Sequence, residues 1–493
     1  MDNNSLKQKA VSGVLWTSIQ RFTQVFVSFI SGIVLARLLE PEDYGCIGML
    51  SIFMLISATF IDGGFGSALI QKKRPTQDDY STVFFWNLGL SIIIYLILFV
   101  AAPYIALFYR TPILCKVLRV QGCVLIINAL QTVQSNQLNK QFKFKKIAIT
   151  LTSAAIISLI VTIWLAYKGC GVWALVTQNI LVALIPTIVY WATNKWFPKL
   201  VFSLQSFKEL FNFGFYMLLT SLVSTTVNNI QGLLIGRIYN PTMMGYYSKA
   251  HSTEKLSSQT ISQVVSQVSY PLYSEIQDSR ERMVIAIKKI TSSIAFLTFP
   301  LMFLLILLAK PLFIFLYSEK WVESIPYFQM LCLAGLAICL QSANSQTIAA
   351  IGKSKVMFRW GLFKQLLGVA FVIIGLLLFG MKGMLVGMVM KSWLIYIVNA
   401  SLVSTHIGYK LGRQLLDLLP TMLLAIGSFV ISWLVGKFLP FGMYPNAIIL
   451  FVLFLLCYLG FATILKFEAL NQSIDMLRPL IDKVKKKNKH NNE

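Results

Sequence analysis

The sequence predicts an all-α membrane protein of fourteen transmembrane helices: two six-helix lobes that are parallel repeats, then two further helices. Three observations predict it. Of 493 residues, 56% are hydrophobic and only 13% charged, against about 25% charged in a soluble domain. The mean hydropathy is +0.70, and a single soluble core stops growing near ~250–300 residues, which excludes a soluble enzyme or a secreted protein. Finally, 43 Lys and Arg against 19 Asp and Glu leave a net charge of +24. On a soluble chain that would suggest nucleic acid; on a membrane chain it marks basic loops held on one side.

A helix crossing the hydrocarbon needs about 20 mostly apolar residues. Such segments occur at 10–36, 43–70, 82–108, 113–138, 146–167, 171–194, 210–236, 243–270, 289–316, 325–350, 359–380, 383–407, 415–436 and 444–466. Runs such as Leu301–Leu308 and Ile448–Leu456 do not alternate as barrel strands do. The first segment is too long for a signal-peptide core and lacks a small-residue cleavage site, so it is expected to remain.

Basic residues test this map. Four are assigned to the spans themselves, residues nearer the span ends being counted with the adjoining side: Arg21, Lys249, Lys255 and Lys391. Ten fall on one side: Arg37, Arg110, Lys116, Arg119, Lys168, Arg237, Lys310, Lys320, Lys382 and Lys437. The remaining 29 of the 43 fall on the other, including Lys72, Lys140, Lys364 and the lysines of the tail. The positive-inside rule then places both termini in the cytoplasm. The expected organisation is a lobe at 1–196, a second at 197–409, two helices at 410–468 and a basic cytoplasmic tail at 469–493, resting on anionic lipid.

The lobes rest on an internal repeat. Gly32, Arg37, Pro41 and Gly45 recur two hundred positions on as Gly232, Arg237, Pro241 and Gly245. Leu130-Gln131 and Ser135 recur as Leu340-Gln341 and Ser345, and Gly171 matches Gly383. Six helices is an even number, so the halves share one orientation.

Polar stripes give the repeat a purpose. In the first span Thr17, Arg21, Gln24, Ser28 and Ser31 step by four and three, one helical face. The seventh offers Ser221, Ser224, Asn228 and Gln231 at the same offset. In the eighth, only Ala250, Leu256 and Ile261 are apolar within Ser248–Gln263, and His251, Lys255, Gln259, Gln263 and Gln267 form a slowly winding stripe. Polar faces in a membrane must meet protein or water. They line a shared cavity, or they make interhelical hydrogen bonds worth about 0.6–2 kcal/mol each; part of the eighth segment lying outside the bilayer is the other option there.

Familiar site motifs fail. Gly352-Lys353-Ser354 ends like a phosphate-binding loop, but Thr347 stands where that motif needs glycine. Gly63-Gly64-Phe65-Gly66 meets Leu69 where a dinucleotide loop needs its third glycine. The seven cysteines are scattered, without metal-ligand spacing. No cofactor, no metal and no covalent chemistry is expected. Asp62 and Glu254 are the main intramembrane acids.

Gly13-x-x-Trp16 opens the first span, Asp62-Gly63-Gly64-Phe65-Gly66 leads to Ile70-Gln71-Lys72, and Tyr270-Pro271 precedes Ile276-Gln277-Asp278. Glu319-Lys320-Trp321 is followed by Ile325-Pro326 and Leu331-Cys332. In this order and spacing the chain resembles the Wzx-type flippases of the multidrug/oligosaccharidyl-lipid/polysaccharide exporter superfamily, nearest its colanic-acid (WzxC-like) branch. The resemblance implies two alternating lobes in a bacterial inner membrane. It implies a substrate made of an oligosaccharide on undecaprenyl pyrophosphate, moved to the periplasmic leaflet, with membrane lipids and other glycan-assembly proteins as partners and no nucleic acid.

On that footing the in-span cations Arg21, Lys249, Lys255 and Lys391 are the candidates for the pyrophosphate, Arg21 first because a guanidinium grips phosphate oxygens in a fork. Gln24, Ser28, Asn228, Gln231, His251, Gln259 and Gln263 are the candidates for the polar sugar lining. Asp62 and Glu254 are the candidates for ion coupling. The rivals are a drug or cation antiporter of the same superfamily, which would favour an anionic cavity, and a membrane glycan polymerase or ligase, which would carry a long outer loop.

Overall fold

The computed structural model describes residues 3–468 and residue 470. The tail expected at 469–493 otherwise lies outside the described residues. All regular structure among them is helical: α1 (Asn3–Leu38), α2 (Pro41–Asp62), α3 (Phe65–Gln71), α4 (Gln77–Phe108), α5 (Ile113–Gln121), α6 (Cys123–Lys140), α7 (Phe144–Tyr167) and α8 (Val172–Thr193). Then come α9 (Leu204–Ile238), α10 (Pro241–Glu275), α11 (Arg280–Leu307), α12 (Ala309–Tyr317), a 3-10 turn (Glu319–Ser324), α13 (Ile325–Ala350), α14 (Ser354–Ile407), α15 (Leu411–Gly436) and α16 (Met443–Ile464).

Twelve segments among the described residues are long and apolar enough to cross a membrane, so this is a multi-pass membrane protein. Two places separate that number from the expected fourteen. The stretch Lys355–Ile407 counts once although it runs for 53 residues, about 80 Å as a straight helix against a hydrocarbon core of about 30 Å. Gly380, at φ 62 and ψ −147, breaks it. The two arms fold back on each other, with Gly375 against Gly383, Gly387 against Phe371, and Gly368 under the aliphatic stem of Lys391. Three glycines on the facing sides bring the two backbones together. The other place is α10, whose polar stripe keeps it out of the apolar set.

Three expected spans are each two helices: α2 with α3, α5 with α6, and α11 with α12. The first break shows its cause. Gly63 and Gly64 sit at φ 54 and 76, where other residues are strained, and the Asp62 carboxylate accepts hydrogen bonds from the backbone of Gly64 and Gly66. A side chain on Gly64 would lie 2.8 Å from the Cα of Gly214 in α9, so the turn also seats that helix.

The described chain falls into two compact units: residues up to Ser248 with Leu316–Lys320, and Lys249–Phe315 with the residues from Trp321 on. In the first, α9 packs along α2, and α7 bridges α1 and α8. Phe65, Leu69, Phe84, Val133 and Leu210 form a core that Trp86, Phe207 and Phe211 enlarge. Lys72 joins Asp79 (3.1 Å) and Glu209 (2.9 Å) across it. Burial pulls the Lys72 ammonium down, but the two carboxylates more than offset this and hold its pKa above the ordinary value. Lys140 donates to the carbonyls of Leu69 (3.0 Å), Ile70 (3.4 Å) and Lys72, capping the C-terminus of α3. In the second unit, α11 packs on α13 and α15, and α13 on α14.

Several backbone turns recur at positions that the sequence repeat pairs. Phe142 and Gly352 both turn at positive φ, 57 and 71. The residues after them match closely, Lys143 at φ −83, ψ 46 and Lys353 at φ −83, ψ 49. Gly171 (φ 53, ψ −130) has its counterpart in Gly380, not in Gly383 as the sequence match suggested. Gly383 is instead one of the hairpin glycines. Helices α1 and α9 end, and α2 and α10 begin, at equivalent positions. Inside the first unit the starts of α2 and α10 cross reciprocally: Gly45 lies against the Pro241 carbonyl and Gly245 against the Pro41 carbonyl. Beside this crossing, Arg37 donates to the Leu316 carbonyl (3.0 Å), and Arg237 stands 5.0 Å over the Phe108 ring.

Candidate functional site

The first unit carries part of the predicted set on α1 and α9. Leu15, Ile19, Phe22 and Phe26 form an exposed apolar stripe on α1. Thr17, Arg21 and Ser28 are exposed too, with Gln24 half-buried, and helical geometry sets them about half a turn away from that stripe. Trp16 lies between the two faces, with Lys145 5.4 Å over its ring, and Gly13, at the start of the polar stripe, packs on Phe144. At the far end of the polar stripe, buried Ser31 accepts a hydrogen bond from Gln178 of α8 (3.0 Å). An apolar face suits lipid. A second exposed face carrying a guanidinium does not, because a charge in hydrocarbon is expensive. It suits water or a polar ligand.

On α9, Asn228 is exposed and Gln231 is buried at 4%. One turn before Asn228, Thr225 meets Thr59 of α2 at 3.4 Å. The predicted stripe therefore divides: Asn228 remains available, whereas Gln231 belongs to packing. Asp62 is committed to the α2–α3 turn described above.

The second unit carries the rest on α10 and α14. Ser252, Lys255, Gln259 and Thr260 are exposed on α10, while Ala250, Thr253, Glu254 and Ser258 are buried. The backbone of Ser258 lies 3.8 Å from the Cys339 sulfur of α13. His251 and Gln263 are half-buried. Glu254 lies over Gly335 of α13, where a side chain would come within 2.7 Å of its Oε1. That oxygen finds no hydrogen-bond partner among the described residues. Lys249 is buried at 3%, 5.6 Å over the Trp321 ring. The four in-span cations thus differ: Arg21 and Lys255 are exposed, Lys391 half-buried, Lys249 buried.

Sequence reasoning missed one cation. Lys364, counted as a loop lysine, lies in the first arm of α14 and donates to Asn399 of the second at 2.7 Å. The signal was present, since Lys364 and Asn399 both interrupt apolar runs.

Residues 34–326 match the model of a family described as polysaccharide biosynthesis protein. The chain is 25% identical over 362 residues to the teichuronic acid biosynthesis protein TuaB of Bacillus subtilis (strain 168), covering 72% of this chain and 74% of that one. It is 23% identical over 443 residues to the lipopolysaccharide biosynthesis protein WzxC of Escherichia coli (strain K12), covering 88% of each. Among solved structures it is similar to lipid II flippase MurJ in an inward closed conformation, with a TM-score of 0.71 and 18% identity, covering 95% of this chain and 100% of that one. At that identity the likeness is one of fold.

Proposed function

Because the chain belongs to the polysaccharide biosynthesis protein family, we propose that it is a flippase for a lipid-linked oligosaccharide. It moves an oligosaccharide unit on undecaprenyl pyrophosphate from the cytoplasmic to the periplasmic leaflet of a bacterial inner membrane, by alternating access and without covalent chemistry. The observation that carries this reading is α1, a membrane helix with an apolar face and an opposite exposed face bearing Arg21. Arg21 grips the pyrophosphate, with Lys255 and Lys391 as further cations and Lys249 as a deeper one. Gln24, Ser28, Asn228, His251, Gln259 and Gln263 meet the sugars, and Gln231 supports them from within the protein.

The two arms of α14 and the 35 residues of α10 bring the crossings to fourteen. The matched turns support two parallel six-helix lobes at 1–196 and 197–409; two more helices follow at 410–468, and the bias of basic residues supports both termini in the cytoplasm. Moving two negative charges outward across an inside-negative membrane is downhill by about 4–5 kcal/mol per 100 mV. The membrane potential therefore drives the step. Asp62, tied to its turn, and Glu254, over Gly335, are the reserve for ion coupling.

Proteoliposomes loaded with an undecaprenyl-pyrophosphate oligosaccharide test this. Translocation is expected to rise with an inside-negative potential, and Arg21→Ala is expected to abolish it while the protein stays abundant and folded. Translocation indifferent to potential removes the proposed drive; normal translocation by Arg21→Ala removes Arg21 from the site.

A further inference from the structure

The linker between α8 and α9 closes over the starts of α4 and α7 and the end of α6, leaving a polar cavity of about 620 Å³ in the first unit. That lies within the roughly 300–1,000 Å³ of small-molecule sites. Its wall offers the amides of Gln77, Gln137, Gln141 and Asn194 and the rings of Tyr80 and Trp196. Most of this wall is fixed in place. Trp196 Nε1 donates to Gln77 Oε1 (2.6 Å), and Gln77 Nε2 donates to the Phe197 carbonyl (2.7 Å). Asn194 Nδ2 donates to Gln134 Oε1 (2.6 Å) and Gln137 Oε1 (3.3 Å), and Gln134 in turn donates to the Trp196 carbonyl (3.1 Å). Tyr80 stands edge-on to Trp196, with ring centroids 6.2 Å apart.

Lys143 and Lys195 line the same cavity, no carboxylate does, and neither lysine pairs with one among the described residues. Side-chain amides match adjacent hydroxyls because an amide carries both donors and acceptors; both Nδ2 hydrogens of Asn194 are committed within the wall, so Gln137 and Gln141 supply the donors. Aromatic rings take the apolar face of a sugar ring, and two unpaired ammonium groups call for an anion. We propose that this cavity is a receiving site for a sugar phosphate, which holds the sugar-phosphate end of the transported unit before it enters the membrane. The proposal rests on the flippase reading and on the orientation that puts this end of the helices in the cytoplasm. Trp196 and the amides take the sugar, and Lys143 and Lys195 take the phosphate.

Saturation-transfer NMR on the full-length protein in nanodiscs tests it, with glucose, galactose and N-acetylglucosamine 1-phosphates as probes and glycerol 3-phosphate as a mimic of a phospholipid headgroup. At least one sugar phosphate is expected to receive saturation on its ring protons. Its binding is expected to weaken about tenfold in the folded double variant Lys143→Ala/Lys195→Ala. An undecaprenyl-pyrophosphate oligosaccharide built on the bound sugar is expected to displace it. No transfer from any of the three, transfer unchanged in the double variant, equal competition by glycerol 3-phosphate, or failure of the lipid-linked form to displace the probe overturns the proposal. Any of these alongside intact translocation in proteoliposomes leaves the flippase reading standing. A responsive cavity in a protein that translocates nothing sinks the transport reading instead.

Discussion

The reciprocal crossing of α2 and α10 can be forced apart by one methyl group. A Cβ on Gly45 would stand 2.5 Å from the Pro241 carbonyl carbon, and one on Gly245 would stand 2.6 Å from that of Pro41. Carbon atoms rest at about 3.5–4.0 Å, and the carbonyl oxygens of Pro241 and Pro41 lie nearer still, so either alanine must part the two helix starts by at least about 1 Å. The obstacle is backbone on both sides, and no side chain can swing away. Overpacking of this kind costs about 1–3 kcal/mol. Because it falls only on the arrangement in which the helix starts touch, it favours a parted arrangement by about 5–150-fold. The assay is the rate at which a membrane-impermeant maleimide, added outside intact cells, labels Asn228→Cys in an otherwise cysteine-free protein. Gly45→Ala and Gly245→Ala are each expected to raise that rate within this range. Together they are expected to do little more than either alone, since one separation relieves both overlaps. Unchanged labelling in folded Gly45→Ala, or effects that sum in full, refutes the reasoning.

The Lys72 cluster separates a buried partner from an exposed one. Lys72→Ala strands the Asp79 carboxylate, 1% exposed, and is expected to cost about 2–4 kcal/mol in detergent unfolding, somewhat under a fully buried pair because Thr76 still donates to Asp79. Glu209→Ala, at 59% exposure, is expected to be nearly neutral in the same measurement. Gly171→Ala and Gly380→Ala place a side chain at equivalent glycine-only backbone angles, so each is expected to lose about 1–3 kcal/mol, with similar losses from both. For orientation, single cysteines at Glu42 and Phe142 are expected to be labelled and protected, respectively, from outside intact cells.

The helix map was legible because membrane insertion writes itself locally: twenty apolar residues, a charge bias, a polar face. The polar stripe of α10 was legible in the same way, and it keeps that helix out of the apolar set. What stayed hidden depends on partners far along the chain. Nothing near Asp62 announces that its carboxylate bonds the backbone of a turn, and nothing near Glu254 announces Gly335, some eighty residues away. Gln231 lies on the same stripe as Asn228, yet one is buried and the other exposed. Lys140 reads as a topology signal, and its work of capping α3 appears only once α6 and α3 are side by side. Lys364 was misplaced because a lysine near a span boundary looks like a loop residue until Asn399 is seen opposite.

Phe142 and Gly352 turn the same corner with different residues. A left-handed backbone costs a residue with a Cβ about 1–2 kcal/mol, so one copy of the corner bears a strain that the other does not. The shape is therefore imposed by the helices that meet there, whatever amino acid occupies the bend. Two corresponding corners of one chain have in this way run a substitution experiment on each other. Where the two agree in form but not in residue, the second supplies a ready design for relaxing the first.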